Sequence, residues 1–567
     1  MSILARSRCG TKGARQLSLV PSRDSVAPSS FSFSDCHSFH SVTMAEKLAE
    51  VINRSMPYKP TTIKRLLIDA ARDFPDRTAV VSLHQPGDLY PVVNSGAGAG
   101  SYLRWTYGEL LCGARRLATS LRSHGIRRGD AIASMQLNGA DWALGFWTTA
   151  LLECPWVAIQ PRTATNAEEI NHILDVSSPR VLLASNDEQV GQLRQSVRAD
   201  TLDGLVKICS VPVESEAREW ATLSSLLETP SSDPQRYYDH EAPLDQAEGL
   251  ALVLFTSGTT GQPKGCMHTQ RSVTSMFQNH ACSLDLDGTS SSVSHLTLSH
   301  CFGMLYSGSF WSRGAKVVYP SPNFDVKASL KAMEMEGSTH MPAVPSLLHS
   351  LIECPGLSKL SLRHIEFSGA LVSAEAVKQA RQQLGAQIVS SHFGMSESGP
   401  AALWSYHEIP DVDTTGDFVS PGLPVPGGKL RICAPGTRTP LQRGETGEIH
   451  QSSPHVIKGY LGGVSSDSFY EDGSGVWLIT GDQGTMLDNG EIRVGGRYKD
   501  IIIRGGENIA PAQMEAVLNT REHLKVCRTL MYAVLLTHVD AGPDRRRTRR
   551  YARRGACRSV SRRTVRW

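Results

Sequence analysis

The chain has 567 residues, 40% of them hydrophobic and 20% charged, with a formal net charge of +3. That length exceeds one core and implies two to four compact units, while the near-neutral balance excludes a whole-chain pull toward nucleic acid or membrane. No run of about 18 apolar residues occurs, so no transmembrane helix is predicted, and twelve cysteines with no C-x-x-C pair argue against a zinc site or disulfide framework and for a reducing compartment.

The first 43 residues hold eleven serines, five basic residues and two acidic ones. This fits a mitochondrial presequence. An over-extended start fits equally, because Met44 opens "MAEKLAEVI", a good helical start. From Thr61 helix and strand patterns alternate: "TIKRLLIDAARDFPD" as helix, "TAVVSL" as strand, "TYGELLCGARRLATSLRSHGI" as a longer amphipathic helix, "RGDAIASMQ" as strand and "DWALGFWTTALLEC" as helix. The alternation continues through "PRVLLAS", "LVKICSV", "LALVLFTS", "AKVVYP" and "HIEFSG". The pattern predicts an α/β protein with mainly parallel sheet.

Two glycine- and serine-rich stretches, 94–101 and 285–294, read as surface loops. After Pro421 short strands and turns predict a small β subdomain. A further unit begins at Gly496, where the strand "DIIIRGG" leads to a helix "PAQMEAVLN" with Pro511 near its first position. Residues 545–567 carry eleven arginines with no lysine and no acidic residue, leaving about −8 for everything before them. An arginine tail can bind nucleic acid or an anionic membrane. A run wholly without lysine, where a domain should continue, reads better as a shifted frame or retained intron, so no nucleic-acid partner is expected.

The densest chemistry lies at 254–265, "LFTSGTTGQPKG". A buried strand ends there. Gly258, Gly261 and Gly265 permit tight turns, and the hydroxyls of Thr256, Ser257, Thr259 and Thr260 join backbone N–H groups as donors. Such a loop suits phosphate oxygens, to which Lys264 adds a full positive charge. It is not a Walker A loop, since Pro263 precedes the lysine and Gly265 follows it.

"FTSGTTGQPKG" resembles the phosphate-binding motif of the adenylate-forming enzymes, which include acyl-CoA synthetases, firefly luciferase and nonribosomal peptide adenylation domains. Further motifs follow in the family's order: "LSHCFGM" (298–304), "FSGALVS" (367–373), "HFGMSESG" (392–399), "GEIHQSSPHVIKGY" (447–460), "TGDQG" (480–484) and "GRYKDIIIRGGENIAP" (496–511). The resemblance covers roughly 55–524 and implies an AMP-binding large domain over 44–495, the start of a mobile, incomplete α+β C-terminal domain over 496–524, and an unmatched tail over 525–567.

The resemblance also implies a reaction: a carboxylate attacks the α-phosphate of ATP, giving an acyl-adenylate and pyrophosphate, and the thiol of coenzyme A then displaces AMP. Attack at phosphorus needs charge neutralisation more than proton transfer. On the matched positions, Thr256 to Lys264 close over the β- and γ-phosphates, with Ser396 in place of the usual threonine and Glu397 holding Mg²⁺ through oxygen. Asp482 accepts from the ribose hydroxyls, Arg497 reinforces that region, and Gly369 and Ala370 admit the adenine ring. Lys499 takes the hinge position between domains, and Gly505 and Gly506 give clearance in the pantetheine tunnel.

His300 and Phe302 line or gate the acyl pocket with Phe393 and Gly394, where acetate-specific members carry a tryptophan. A glycine there predicts acids larger than propionate: fatty, aryl or polyketide-type. "HCFGMLYSG" lacks the aspartate of amino-acid-activating members. The family's late C-terminal lysine has no counterpart, because no lysine follows Lys525. The leading expectation is an AMP-forming acyl-CoA ligase, with an ATP- or adenylate-binding pseudoenzyme as the alternative and a luciferase-type oxidase as a minor variant. A cytoplasmic or mitochondrial address is expected, with a peroxisomal one open; the sequence leaves the oligomeric state undefined.

Overall fold

The computed structural model describes residues 42–511 apart from 45–46, 57, 94–99, 214–218, 229–246, 257–261, 357–359, 410–417, 464–466, 501, 505–506 and 510. Two seven-stranded sheets carry the α/β body. The first runs, from one edge, through Lys264–Thr269, Leu250–Thr256, Trp156–Ala158, Ile132–Ser134, Val181–Ala184, Val206–Cys209 and Ala221–Thr222, parallel throughout except for its first strand. The second runs through Ile388–Ser391, His364–Phe367, His340–Ala343, Ser291–Val293, Lys316–Tyr319, Thr78–Ser82 and Leu103–Thr106, with only the last pair antiparallel.

Alternation along these strands divides the core, because successive side chains point to opposite faces. Val80, Val317, Ile132, Leu252 and Leu254 share one large cluster between the sheets. Their neighbours Val81 and Val318 turn to an outer cluster with helices Val326–Glu336, Pro345–Ile352 and Ala374–Leu384. Ala133, Leu182 and Val253 turn to the opposite one, under Ala167–Ser177 and Asp187–Ser196. Helices in the middle layer are covered all round: every residue of Ala140–Leu152 and of Cys301–Trp311 is buried. That is why "DWALGFWTTALLEC" lacks a polar face. The exposed-edge helix Tyr107–Ser123 instead starts with a reciprocal capping box between Thr106 and Glu109.

A third, wholly antiparallel sheet joins Val42–Met44, Glu50–Asn53, Lys429–Cys433, Thr446–Ser452, Gly475–Met486, Phe469–Asp472 and Ile492–Arg497. It is the β subdomain expected after Pro421, enlarged by a segment from the start of the chain. "MAEKLAEVI" therefore does not begin a helix: Glu50–Asn53 pairs with Lys429–Cys433, and burying Val51 in that sheet overrides its helical propensity.

The stretch 285–294 is not simply a surface loop. Ser291–Val293 is a fully buried strand in the middle of the second sheet. Its serines were read as loop formers, but a central parallel strand is held by its two backbone ladders and tolerates small side chains where neighbours pack closely. A short hairpin, Ile502–Arg504 with Glu507–Ile509, ends the described chain. Most of the glycine insertion at 94–101, the helix "PAQMEAVLN" beyond Pro511, and the arginine tail lie outside the described residues.

Candidate functional site

The loop at 254–265 is framed by two antiparallel strands, Leu250–Thr256 and Lys264–Thr269, in which Thr256 faces Lys264. Ser257, Gly258, Thr259, Thr260 and Gly261 lie outside the described residues. The returning stem is anchored on its outer side, where His172 Nε2 contacts the Pro263 carbonyl at 3.0 Å and Gln262 donates to Glu168 at 2.6 Å. Lys264 turns the other way. Its ammonium lies 5.2 Å from the centre of the Tyr460 ring, a cation–π contact.

Tyr460 links two motifs. Its hydroxyl donates to Oε1 of Glu397 at 3.1 Å. Glu397 is half-buried, and its own carbonyl accepts from the Ile457 backbone at 2.9 Å. The preceding carbonyl, of Ser396, contacts Nε2 of His268 at 2.8 Å. Burial pushes His268 down to about 4, so it is neutral and donates from Nε2. Lys264, Tyr460 and Glu397 thus form a contact chain drawn from three distant motifs.

Asp482 sits on the long strand Gly475–Met486, opposite Arg497 on Ile492–Arg497. Arg497 Nε is 3.2 Å from its carboxylate, and the Asp482 N–H donates to Thr480 Oγ1 at 3.0 Å. Burial raises the Asp482 carboxyl to about 6, against the pull of Arg497 and of Lys499, while Glu397 adds a further upward push. The two carboxylates are therefore within electrostatic reach of each other. Lys499 follows in the short exposed turn Tyr498–Asp500.

Gly369 and Ala370 are exposed at the carboxyl end of His364–Phe367, with Gly369 at φ +77°, a left-handed conformation that favours glycine. Phe302 is buried, its ring 4.8 Å from that of His392 and edge-on to it. His300 caps the helix Cys301–Trp311, accepting from the Phe302 N–H at 3.3 Å, and is exposed. Phe393 is half-buried and packs against the β-subdomain core around Ala401, Ala402 and Leu430, so on that side it is a subdomain contact and not a pocket wall. Gly394 is fixed by its own hairpin, since a Cβ there would strike the Gly399 carbonyl. Gly505 and Gly506 lie outside the described residues.

Sequence reasoning passed over several contributors. Tyr460 closes a quoted motif, and an aromatic directly after Gly459 was the available signal. Thr480 opens another. His280 and Glu366 carry no signal, and His392, which opens the motif at 392–399, shows nothing of its partners: the side chains meet across 86 and 26 residues of sequence. Together a half-buried lysine, an exposed arginine and two carboxylates within electrostatic reach of each other make an arrangement able to neutralise phosphates and accept from sugar hydroxyls.

A family model described as AMP-binding enzyme matches residues 67–461. An acyl-CoA ligase of Pestalotiopsis microspora is 26% identical over 476 residues, covering 81% of this chain and 82% of its own. A 4-coumarate–CoA ligase of Oryza sativa is 28% identical over 445 residues, 74% of each chain. Among solved structures, ATP-bound MatB from Rhodopseudomonas palustris superposes with a TM-score of 0.63 at 21% identity, over 81% of this chain and 84% of that one. The luciferase-like enzyme of the nonluminescent Zophobas morio mealworm gives 0.65 at 21%, over 81% and 100%. These two share the fold. With a family match spanning more than half of its length, the chain belongs to the AMP-binding enzyme family, within the adenylate-forming acyl-CoA synthetase superfamily.

Proposed function

We propose that the protein joins a carboxylic acid to coenzyme A at the expense of ATP. A carboxylate oxygen attacks the α-phosphorus as the bond to the β-phosphate breaks and pyrophosphate leaves. The coenzyme A thiol then attacks the acyl carbon, loses its proton to solvent and expels AMP. The observation that carries this reading is the contact chain Lys264–Tyr460–Glu397 beside the Asp482–Arg497 pair.

Each residue has a role in keeping with its surroundings. Lys264 leaves the Tyr460 face to meet phosphate oxygens, and Asp482 receives the ribose hydroxyls while Arg497 keeps its carboxylate ionised near neutral pH. Ser396, with its carbonyl tied to His268, fixes the position of Glu397. The fit to magnesium rests on donor chemistry: Glu397 is a half-buried carboxylate with one oxygen taken by Tyr460, leaving the other as a hard ligand. When bound, the ion supplies charge neutralisation on the phosphates.

We assign residues 44–495 to acid and nucleotide binding and 496–524 to the start of a second unit hinged at Lys499; Gly505 and Gly506, outside the described residues, are assigned to the thiol tunnel by resemblance. The acid is larger than propionate, in keeping with the 4-coumarate ligase among the relatives. A reducing address, cytoplasmic or mitochondrial, is in keeping with the eight described cysteines, all free thiols. No helix among the described residues is long and apolar enough to cross a membrane.

Incubating the protein with ATP, magnesium, coenzyme A and a panel of carboxylic acids tests this: AMP and pyrophosphate should form together. A non-catalytic nucleotide binder would bind ATP yet fail to exchange labelled pyrophosphate into it with every acid.

A further inference from the structure

Directly before Phe393, three buried ionisable side chains meet. Glu366 lies between two imidazoles, with His280 Nε2 at 2.7 Å from one oxygen and His392 Nδ1 at 3.2 Å from the other. His280 is 0% exposed, Glu366 2% and His392 7%. Burial alone would raise the Glu366 carboxyl, but the two imidazoles hold it well below the usual carboxylate range, so it acts as an acceptor. His280 is tied on its far side to Ser309, Nδ1 to Oγ at 2.9 Å. Both carboxylate oxygens already face an imidazole, which makes the group a self-paired support and not an open set of metal ligands.

Nδ1 of His392 faces the carboxylate in close contact without full hydrogen-bond geometry, so Nε2 is the nitrogen left to meet a ligand, as donor or acceptor. Nε2 makes no hydrogen bond among the described residues and is not sealed from solvent. It belongs to the ring that stands edge-on to Phe302 at 4.8 Å. Beside it, Tyr306 packs edge-on to Phe302 at 5.6 Å and to His280 at 5.2 Å, and its buried hydroxyl has no partner among the described residues. Buried polar groups in folded proteins are overwhelmingly paired. A charged pair, an open imidazole nitrogen and an orphan phenol around one aromatic wall form a polar floor that a plain hydrocarbon chain would leave unsatisfied.

We infer that His392, held beside Glu366 and His280, is a specificity-determining residue that hydrogen-bonds a hydroxyl on the acyl chain, so that the preferred substrates are hydroxy acids. This rests on the reading of the chain as an acid–thiol ligase whose acyl pocket is bordered by Phe302. Leaving such a nitrogen unpaired penalises the deoxy analogue, because the buried group loses water and gains nothing.

The test uses the full chain with ATP, magnesium, coenzyme A and matched triplets of acids at several chain lengths: hydroxylated at the far end, unsubstituted, and dicarboxylic, with 4-hydroxycinnamate against cinnamate. The hydroxylated member of at least one set should show kcat/KM higher by about tenfold or more. His392→Phe should abolish that preference, read as the ratio of kcat/KM between the hydroxylated and unsubstituted acids, and His392→Gln, whose amide reaches a similar position, should keep much of it. The wild-type triplets decide the matter even if His392→Phe fails to fold. Equal rates within every set, a preference for the dicarboxylic acid, or a hydroxyl preference unchanged in His392→Phe overturns the inference while leaving the ligase reading intact. No AMP release with any acid overturns both.

Discussion

The sides assigned above to the nucleotide and to the acyl group handle charge in opposite ways. Toward the nucleotide, Lys264 rests on an aromatic face, Arg497 is 47% exposed, and Asp482 is so poorly compensated that burial raises its carboxyl to about 6. Toward the acyl group, Glu366 is held ionised by two imidazoles in a largely buried cluster. The rim keeps its charges available for a partner that arrives with phosphates. The floor pairs its charges internally, so removing one member leaves the others buried and unmatched.

The comparison breaks most visibly on the floor. Glu366→Leu should destabilise the fold by about 3 kcal/mol or more, read from urea unfolding, because it strands two histidines. Lys264→Ala on the rim should leave the unfolding midpoint nearly unchanged while lowering kcat/KM by roughly 10²- to 10³-fold, measured as AMP release. Similar kinetic and stability losses in both variants would erase the distinction.

Asp482→Asn tests the rim from the other direction. Its folded pKa lies above the unfolded value, so its contribution to stability is fully present below about pH 4 and is lost as pH rises through about 6. A shift of about two units corresponds to roughly 3 kcal/mol. The asparagine variant should therefore be more stable than wild type at pH 8 by up to that amount, though nearly inactive. Calorimetric ATP affinity should rise between pH 5 and 7 in wild type, as Asp482 ionises, and stay flat in the variant.

Smaller effects separate the site from its scaffold. Gly394→Ala should lose about 1–3 kcal/mol, since the added Cβ meets the Gly399 carbonyl and the hairpin must shift. Its thermal midpoint and its KM for the acid should move together. Thr106→Ala, which removes the capping box of Tyr107–Ser123, should lower stability by about 1 kcal/mol with kcat/KM unchanged.

Much of this was legible in the chain itself. Strand and helix periodicity placed Thr78–Ser82, Tyr107–Ser123, Leu250–Thr256 and His364–Phe367 close to where they fold. The motifs carrying Lys264, Glu397, Asp482 and Arg497 were visible because each is a short contiguous run of glycines, hydroxyls and charges. Ser291–Val293 was hidden, because serine is a loop former unless two neighbouring strands supply its backbone partners. Glu50–Asn53 was hidden for a related reason: its helical pattern is local, and the strand it pairs with lies some 380 residues away.

By itself the sequence determined the alternation of the body, the phosphate loop and the kind of chemistry its motifs serve, since each depends on contiguous residues. Only the tertiary structure decided that Tyr460 bridges Lys264 and Glu397, that Phe393 leans on the β subdomain, and that Glu366 is flanked by His280 and His392. Those contacts join residues far apart in the chain. Their strength comes from burial and mutual distance, quantities that exist only once the sheets have packed.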